Sequence, residues 1–564
     1  MKILIITGHL AYPLISKIAK SANDNVKSPN KQVIVHKADT QVAAFLTPNK
    51  VIEELTKNYE GDLNEIEMIL VPGLMKKNSS EITKAIKIPC FKGSTDGADL
   101  GMVLELVGKI ELSETKTADS LIEEEKRKQA FKFIEDFETN TEKVNSLLQK
   151  PNNILIKNLP VGEDFPMRVL CEIANAPLLT KEELIFKAKY FLNNGADMID
   201  IGMVAGEDYS KEIPNLIKTL REIIGDKPLS IDTLNPKEIE MAIEHDIDLV
   251  LSLDLGNYED LLPKLKEKNI PAVLLPTNFK ANEVPHTIED RLNNIEKLIE
   301  KCNGLKIFAD LILDPINSLS IVDSIVAVKK FKDKHPHPVF FGVGNVTELL
   351  DVDSQGVNAL ISGIGSELKA SVLFTPDESG KTWNSVYELV ISSKMMFLAK
   401  HRGSVPKDLG LNLINFKDKK KLSFDNIIAS VNSNKENNDN NINNNVNNID
   451  NNLNVIIAEK EPKFVHDPCG SFKINVIHGT RYDKSKIEVT HFIKGVPDII
   501  IEGTKAKEIF NEIIERKLIS RLEHTAYLGA ELQKAEIAMI SSKEYVQDFE
   551  LFKKPLILDN DKYC

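Results

Sequence analysis

The stretch Gly195-Ala-Asp-Met-Ile-Asp-Ile-Gly202 reads as a short buried strand, entered from a helix end and left through a glycine. An amphipathic helix over Lys181–Asn194 leads into it, and the same strand-then-helix unit recurs on both sides. Strand candidates fall at Arg168–Ala174, Met198–Gly202, Leu229–Asp232, Leu249–Leu253, Ala272–Pro276, Ile307–Asp314, Val339–Val343 and Ser371–Thr375. Eight such strands in roughly 250 residues is the arithmetic of a (β/α)8 TIM barrel, whose sites lie at the carboxyl ends of the strands.

The predicted fold class is therefore α/β, with this barrel at the centre and a smaller domain on each side. Residues 1–125 alternate short strands (Lys2–Thr7, Gln32–His36, Met68–Pro72, Ile88–Phe91) with helical patterns, as in an open parallel sheet. The loop Gly8-His-Leu-Ala-Tyr12 follows the first strand at a place where such sheets hold ligands, but no G-x-G-x-x-G follows it. A charged helical connector spans 126–152, and the barrel is expected over 153–410. Asparagine dominates 430–455, which reads as a disordered linker. An α+β module occupies 456–564, with strands near Phe472–His478 and Lys486–Phe492 and helices at Ala506–Arg516 and Ile519–Ile540.

The chain has 564 residues, 42% hydrophobic and 27% charged, with a net charge of −13. An acidic balance of this size disfavours nucleic acid, whose phosphates are held by clustered Lys and Arg. Its five cysteines form no C-x-x-C pair and no metal-ligand spacing, so no metal site is indicated and a reducing, cytoplasmic compartment is expected. No apolar run reaches the length of a membrane span, and the short apolar start reads as a first strand.

Three segments carry chemistry: Gly195–Gly202, Leu229-Ser-Ile-Asp-Thr233 and Leu311-Ile-Leu-Asp-Pro315. Asp232 and Asp314 would end the third and sixth barrel strands, across the mouth from each other. Two carboxylates in such a cup suit a flat ligand with an amidine-like N–H edge, since each accepts two parallel N–H bonds. Taken together and in this order, the three segments resemble the pterin-binding barrel family, which contains dihydropteroate synthase and methyltetrahydrofolate-dependent methyltransferases. The resemblance covers roughly Met167–Lys400 and maps Asp232 and Asp314 onto the pterin-ring carboxylates.

The departures from dihydropteroate synthase also carry information. Asn175, in Ile173-Ala-Asn-Ala-Pro177, is displaced by one position, and Leu251-Ser-Leu-Asp254 puts Asp254 where Ile-Asn-Asp is usual. Gly342-Val-Gly-Asn-Val-Thr347 replaces Ser-Arg-Lys and is closer to the methyltransferase branch, making Asn345 a pterin contact. The Lys and Arg that would face a diphosphate are absent from their usual places, leaving Lys369, Lys381 and Arg402 as the catalytic candidates. With Asp467-Pro-Cys-Gly-Ser-Phe and the helix from His524 added, the whole chain resembles the archaeal dihydropteroate synthase-related proteins. That resemblance makes 153–410 a pterin-binding barrel and 1–125 a Rossmann- or flavodoxin-like domain.

It further implies a transferase of tetrahydromethanopterin biosynthesis. Such an enzyme condenses a dihydropterin methyl diphosphate with an arylamine, a ribofuranosylaminobenzene phosphate, and releases pyrophosphate. Mg2+ is the expected cofactor for the diphosphate. The expected partners are a reduced pterin and the arylamine, with no nucleic acid and no membrane, and a homodimer is compatible with this reading. The alternatives are a methyltransferase-like barrel and a non-catalytic pterin-binding protein.

Overall fold

The computed structural model describes residues 1–24, 31–95, 97–108, 110–417, 458 and 465–552. The predicted Asn-rich linker at 430–455 lies outside the described residues. Contacts group the chain into two compact units: Met1–Thr141 with Leu398–Asn412, and Glu142–Phe397 with Leu413–Cys564. The division falls inside the predicted connector, after the first residue of the helix Thr141–Leu147 and just beyond the helix Ala118–Thr139.

In the first unit, strands β1 (Lys2–Thr7), β2 (Gln32–Lys37), β3 (Met68–Val71) and β4 (Cys90–Lys92) form a parallel sheet in the order β2-β1-β3-β4. The chain winds outward from β1 in both directions, so the carboxyl ends of β1 and β3 flank a crevice. A cavity of about 240 Å3 lies there, lined by apolar side chains such as Leu10, Val42 and Leu74, with Thr7, Ser94 and Thr95. Leu10 and Ala11 of the predicted ligand loop are part of its wall.

The second unit holds the barrel. A hairpin of β5 (Asn153–Ile156) and β6 (Leu159–Gly162) precedes it. The barrel strands are β7 (Arg168–Ile173), β8 (Met198–Gly202), β9 (Leu229–Asp232), β10 (Leu249–Leu253), β11 (Ala272–Leu274), β12 (Ile307–Ala309), β13 (Val339–Gly342) and β14 (Ala370–Thr375). They pair in parallel in chain order, and β14 closes on β7 with Thr375 opposite Cys171. Sequence and structure differ most at the sixth barrel strand, which was expected to run to Asp314 but ends at Ala309.

Side chains alternate across a strand, so each barrel strand sends every second residue inward. Leu170, Met198, Leu249, Val273, Phe308, Phe340 and Val372 form the lower inward layer and cluster with Ile154, Ile156 and Val161 of the hairpin. The amino end of the barrel is thereby plugged with apolar side chains. Each contributes about 1.5–3 kcal/mol when fully buried. The outward faces pack against the helical ring in a separate, larger cluster that includes Leu184, Phe191, Leu220 and Phe331.

Helix starts at the mouth are fixed by caps. Thr180 and Glu183 make a reciprocal capping box, and the side chains of Asn235, Thr287 and Ser320 accept backbone N–H bonds at three further starts. These polar residues are thus committed to holding loops rather than ligands.

The carboxyl-terminal part of the same unit is a meander of β15 (Ser471–Ile477), β16 (Lys486–Ile493) and β17 (Val496–Gly503). Lys494 and Gly495, both at positive φ, make the two-residue turn between β16 and β17. Helices Ala506–Glu515 and Leu522–Ile540 pack on this sheet through Ile509, Ile513, Leu528 and Leu532. Among the described residues, no helix is long and apolar enough to cross a membrane.

Candidate functional site

Above the apolar plug, the next inward positions turn acidic. Glu172 stands two residues beyond Leu170 on β7, Asp200 two beyond Met198 on β8, and Asp310 two beyond Phe308 at the end of β12. Asp232 ends β9, two beyond Ser230. Glu172 and Asp200 are register partners across β7 and β8, and Asp200 is paired in turn with Ser230. One carboxylate oxygen from each of Glu172, Asp200 and Asp232 lies within 4.8 Å of the others.

Asp200 is fully buried; its Oδ1 accepts from Ser230 Oγ, and its Oδ2 has no hydrogen-bond partner among the described residues. Glu172 reaches over Gly202, where a Cβ would stand 2.2 Å from Glu172 Oε1. Glycine is therefore required there for this placement of Glu172.

Crowding and desolvation hold these groups well above the usual carboxylate range. Burial pushes Asp310 up to about 7. It does the same for Glu172, with Glu378 adding to the effect and Lys187 opposing it. Burial, followed by the charges of Glu172 and Asp310, pushes Asp232 up to about 8. Asp200 is raised too, by burial and then by Asp232 and Glu172. Asp232 ends the third barrel strand and Asp310 follows the sixth, so the two carboxylates stand across the mouth from each other, and the charge of Asp310 adds to the shift of Asp232.

Raised folded-state values give the sign of a stability effect. Between the unfolded value near 4 and the folded values near 7–8, the native state binds more protons than the unfolded chain, so stability falls as pH rises through that window. Asp232→Asn should therefore raise the urea midpoint of the ligand-free protein at pH 8.5 and leave it nearly unchanged at pH 4. Equal shifts at both pH values would contradict the electrostatic reading.

Asp314, the expected partner of Asp232, has other commitments. Its Oδ2 pairs with Arg291 Nη2 at 2.7 Å and accepts from Ser324 Oγ at 2.7 Å, with Asp314 and Arg291 both buried. The carboxylate that faces Asp232 belongs to Asp310. Asp254 is also committed: Oδ1 accepts from the backbone N–H groups of Gly256 and Asn257, and Oδ2 from Thr277 Oγ1 and the Phe279 N–H. It pins two loops together and has no free acceptor for a ring.

Asn345 sits at the carboxyl end of β13, exposed in the short helix Gly344–Thr347, where its Nδ2 donates to the Leu313 carbonyl. Asn175 lies beyond β7 in the left-handed region (φ 50°), a conformation asparagine tolerates, and its carbonyl accepts from Leu178. Among the catalytic candidates, Lys369 directly precedes β14, at the plugged end away from Asp232, near Glu163. Lys381 follows β14 on the mouth side but pairs with Asp351 at 2.9 Å. Arg402 belongs to Leu398–Asn412, grouped with the first unit, and donates to the Asp408 carbonyl. None of the three joins the carboxylate group.

Sequence reading missed Glu172, Asp200 and Asp310. The available signal was a recurring inward pair, Leu-x-Glu, Met-x-Asp and Phe-x-Asp, on three barrel strands. In the carboxyl-terminal part, His524 Nδ1 lies 3.1 Å from Asp467 Oδ2, which also accepts from the Ser520 and Arg521 N–H groups. These residues tie the last helix to the segment ahead of β15.

With this geometry in place, comparison with known proteins gives the relationship. Residues 175–359 match the family described as Pterin binding enzyme, and residues 466–548 match the family described as PterinBD-DUF4346. The chain is 42% identical over 562 residues to Uncharacterized protein MJ0107 of Methanocaldococcus jannaschii, covering 98% of this chain and 99% of that protein. It belongs to the same family as that protein, and its barrel is of the pterin-binding enzyme type. A Ycf91-like protein of Nostoc sp. is 40% identical over 52 residues, 9% of this chain and 41% of that protein. Among solved structures, Xanthomonas albilineans dihydropteroate synthase is 16% identical with a TM-score of 0.37, covering 46% of this chain and all of that one. A Yersinia pestis dihydropteroate synthase is also 16% identical, with a TM-score of 0.36, covering 44% of this chain and 99% of that one.

Proposed function

We propose that the barrel binds a reduced pterin through Asp232 and Asp310 and joins its methylene carbon to an arylamine. The observation that carries this reading is the facing pair itself. The Asp232 carboxylate accepts no hydrogen bond from the described residues, and Asp310 accepts only one, from its near neighbour Ile312. Both therefore keep acceptor capacity in a half-buried cup, where a charge-assisted bond to a donor edge is strongest. The 2-amino and ring N–H groups of a pterin supply such an edge.

In the reaction, the bond from the pterin methylene carbon to the diphosphate oxygen breaks as the amine nitrogen forms the new C–N bond. Pyrophosphate leaves with the bonding electrons, and the amine loses a proton. Ribofuranosylaminobenzene phosphate as the amine, and a place in tetrahydromethanopterin biosynthesis, follow from the resemblance to the archaeal group. Mg2+ belongs to this reading as counter-charge to the diphosphate, and the oxygen-only chemistry of the mouth suits it.

A second reading, pterin binding or methyl transfer without a leaving group, is favoured by the cations. Lys381 pairs with Asp351 and Lys187 with Glu378, which leaves neither lysine unpaired to face a diphosphate. Incubating the full chain with the pterin diphosphate, the arylamine phosphate and Mg2+ separates the two. Pyrophosphate release is expected of the synthase; bound pterin with no release assigns the second reading.

A further inference from the structure

We propose that Glu172, Asp200 and Asp232 form a binding site for one hard divalent cation, of the Mg2+ or Mn2+ class, on the floor of the barrel mouth. The site stands beside the reading above and not on it. In that reading Asp232 faces the ring N–H edge of a pterin, at the far end of the bicycle from the methylene carbon, so this ion is separate from any counter-charge to a diphosphate. One Asp232 oxygen sits on the ion and the other is left for the ring edge.

The three oxygens come from three adjacent strands and lie within 4.8 Å of one another. Oxygens held roughly 2.0–2.1 Å from Mg2+ stand at most about 4.2 Å apart, so carboxylates already within 4.8 Å of one another share such an ion after drawing in by roughly half an ångström. The independent observation is Asp200. It is 0% exposed, its Oδ1 is occupied by Ser230, and its Oδ2 is buried with no hydrogen-bond partner among the described residues. A buried carboxylate oxygen left in this state is costly unless a proton or a cation compensates it.

The surroundings favour the cation. The two charged groups that act on Asp200, Asp232 and Glu172, are themselves acidic. Lys187, the one lysine that acts on Glu172, pairs with Glu378. Glu172 and Asp232 are half-buried, so an ion can enter from the mouth and keep its remaining positions open to water or a ligand oxygen. The missing Cβ of Gly202 makes room for the Glu172 carboxylate at this place. An oxygen-only set of ligands suits Mg2+ and Mn2+ better than Zn2+, which prefers nitrogen and sulfur.

The test titrates Mn2+ into the full-length protein, following the loss of free-ion signal by electron paramagnetic resonance, with Mg2+ as competitor. Saturable binding of one Mn2+ per chain, displaced by Mg2+, is expected. Asp200→Asn and Glu172→Gln should each weaken it by roughly 100-fold, with circular dichroism confirming that the variants fold. Glu172→Gln, at a half-buried position, keeps the test valid if Asp200→Asn does not fold. Asp310→Asn should retain Mn2+ while losing pterin affinity. Absence of saturable binding, or unchanged affinity in the folded variants, overturns the proposal and assigns the cluster to shared protons. Pterin binding without Mn2+ binding removes the cation site alone. Mn2+ binding without pterin binding removes the pterin reading alone.

Discussion

Asp310→Ala should cost the protein about 2–4 kcal/mol of affinity for 6-hydroxymethyldihydropterin, roughly a 30- to 1,000-fold rise in Kd. The magnitude follows from removing one charged acceptor of a paired N–H edge in a desolvated cup. Asp232→Ala should act in the same way, because the two carboxylates stand across the mouth from each other and neither is in an ion pair among the described residues, Arg291 acting on Asp310 only from a distance. The contrast with Asp314 makes the experiment decisive. That carboxylate belongs to a buried pair with Arg291, so altering it should lower stability first. Calorimetry on the three variants, each checked for folding, distinguishes the assignments. If pterin affinity survives Asp310→Ala and falls only with a folded Asp314 variant, the site belongs to Asp314.

Most barrel strands were legible because a parallel strand inside a helical ring is apolar on both faces and bounded by turn residues. For β8, β9 and β10 the reading and the structure have the same limits. The sixth strand was not legible, and the reason is long-range. Ile307-Phe-Ala-Asp-Leu-Ile-Leu-Asp314 is continuously strand-like by composition. In the structure Asp310 Oδ1 accepts the Ile312 N–H at 2.7 Å, Ile312 turns to positive φ, and Arg291 Nη1 takes the carbonyls of Leu311 and Ile312. An arginine on the preceding helix thus ends the strand, and no local pattern announces it. Once Ala309 is the last strand residue, Asp310 becomes the inward carboxylate and Asp314 moves into the wall.

The same limit explains β17. Val496-Pro-Asp-Ile-Ile-Ile-Glu-Gly503 carries a proline that argues against a central strand, yet it lies at the sheet edge, where proline is tolerated. The carboxylate group was hidden for a different reason. Three of the acids follow an ordinary apolar residue by two and Asp232 follows a serine, and only barrel closure brings the acids of four strands over one plug.

Arg291→Met should destabilise the barrel by about 3–5 kcal/mol, the usual consequence of stranding one member of a buried ion pair. Arg291 and Asp314 are 2% and 4% exposed, and the guanidinium also donates to Ser324 Oγ at 3.2 Å and to two carbonyls. Its loss leaves a buried carboxylate with only Ser324 and removes the clamp on the segment that carries Asp310. Trp383, the chain's single tryptophan, stacks on Tyr190 at 4.5 Å and so reports on this unit. A lower urea midpoint in its emission is expected, together with weakened pterin binding under conditions where the variant remains folded. Ser324→Ala, which leaves the ion pair in place, should cost only about 1 kcal/mol. A midpoint unchanged by Arg291→Met would mean that the pair does not hold the segment. The placement of Asp310 opposite Asp232 would then need another cause.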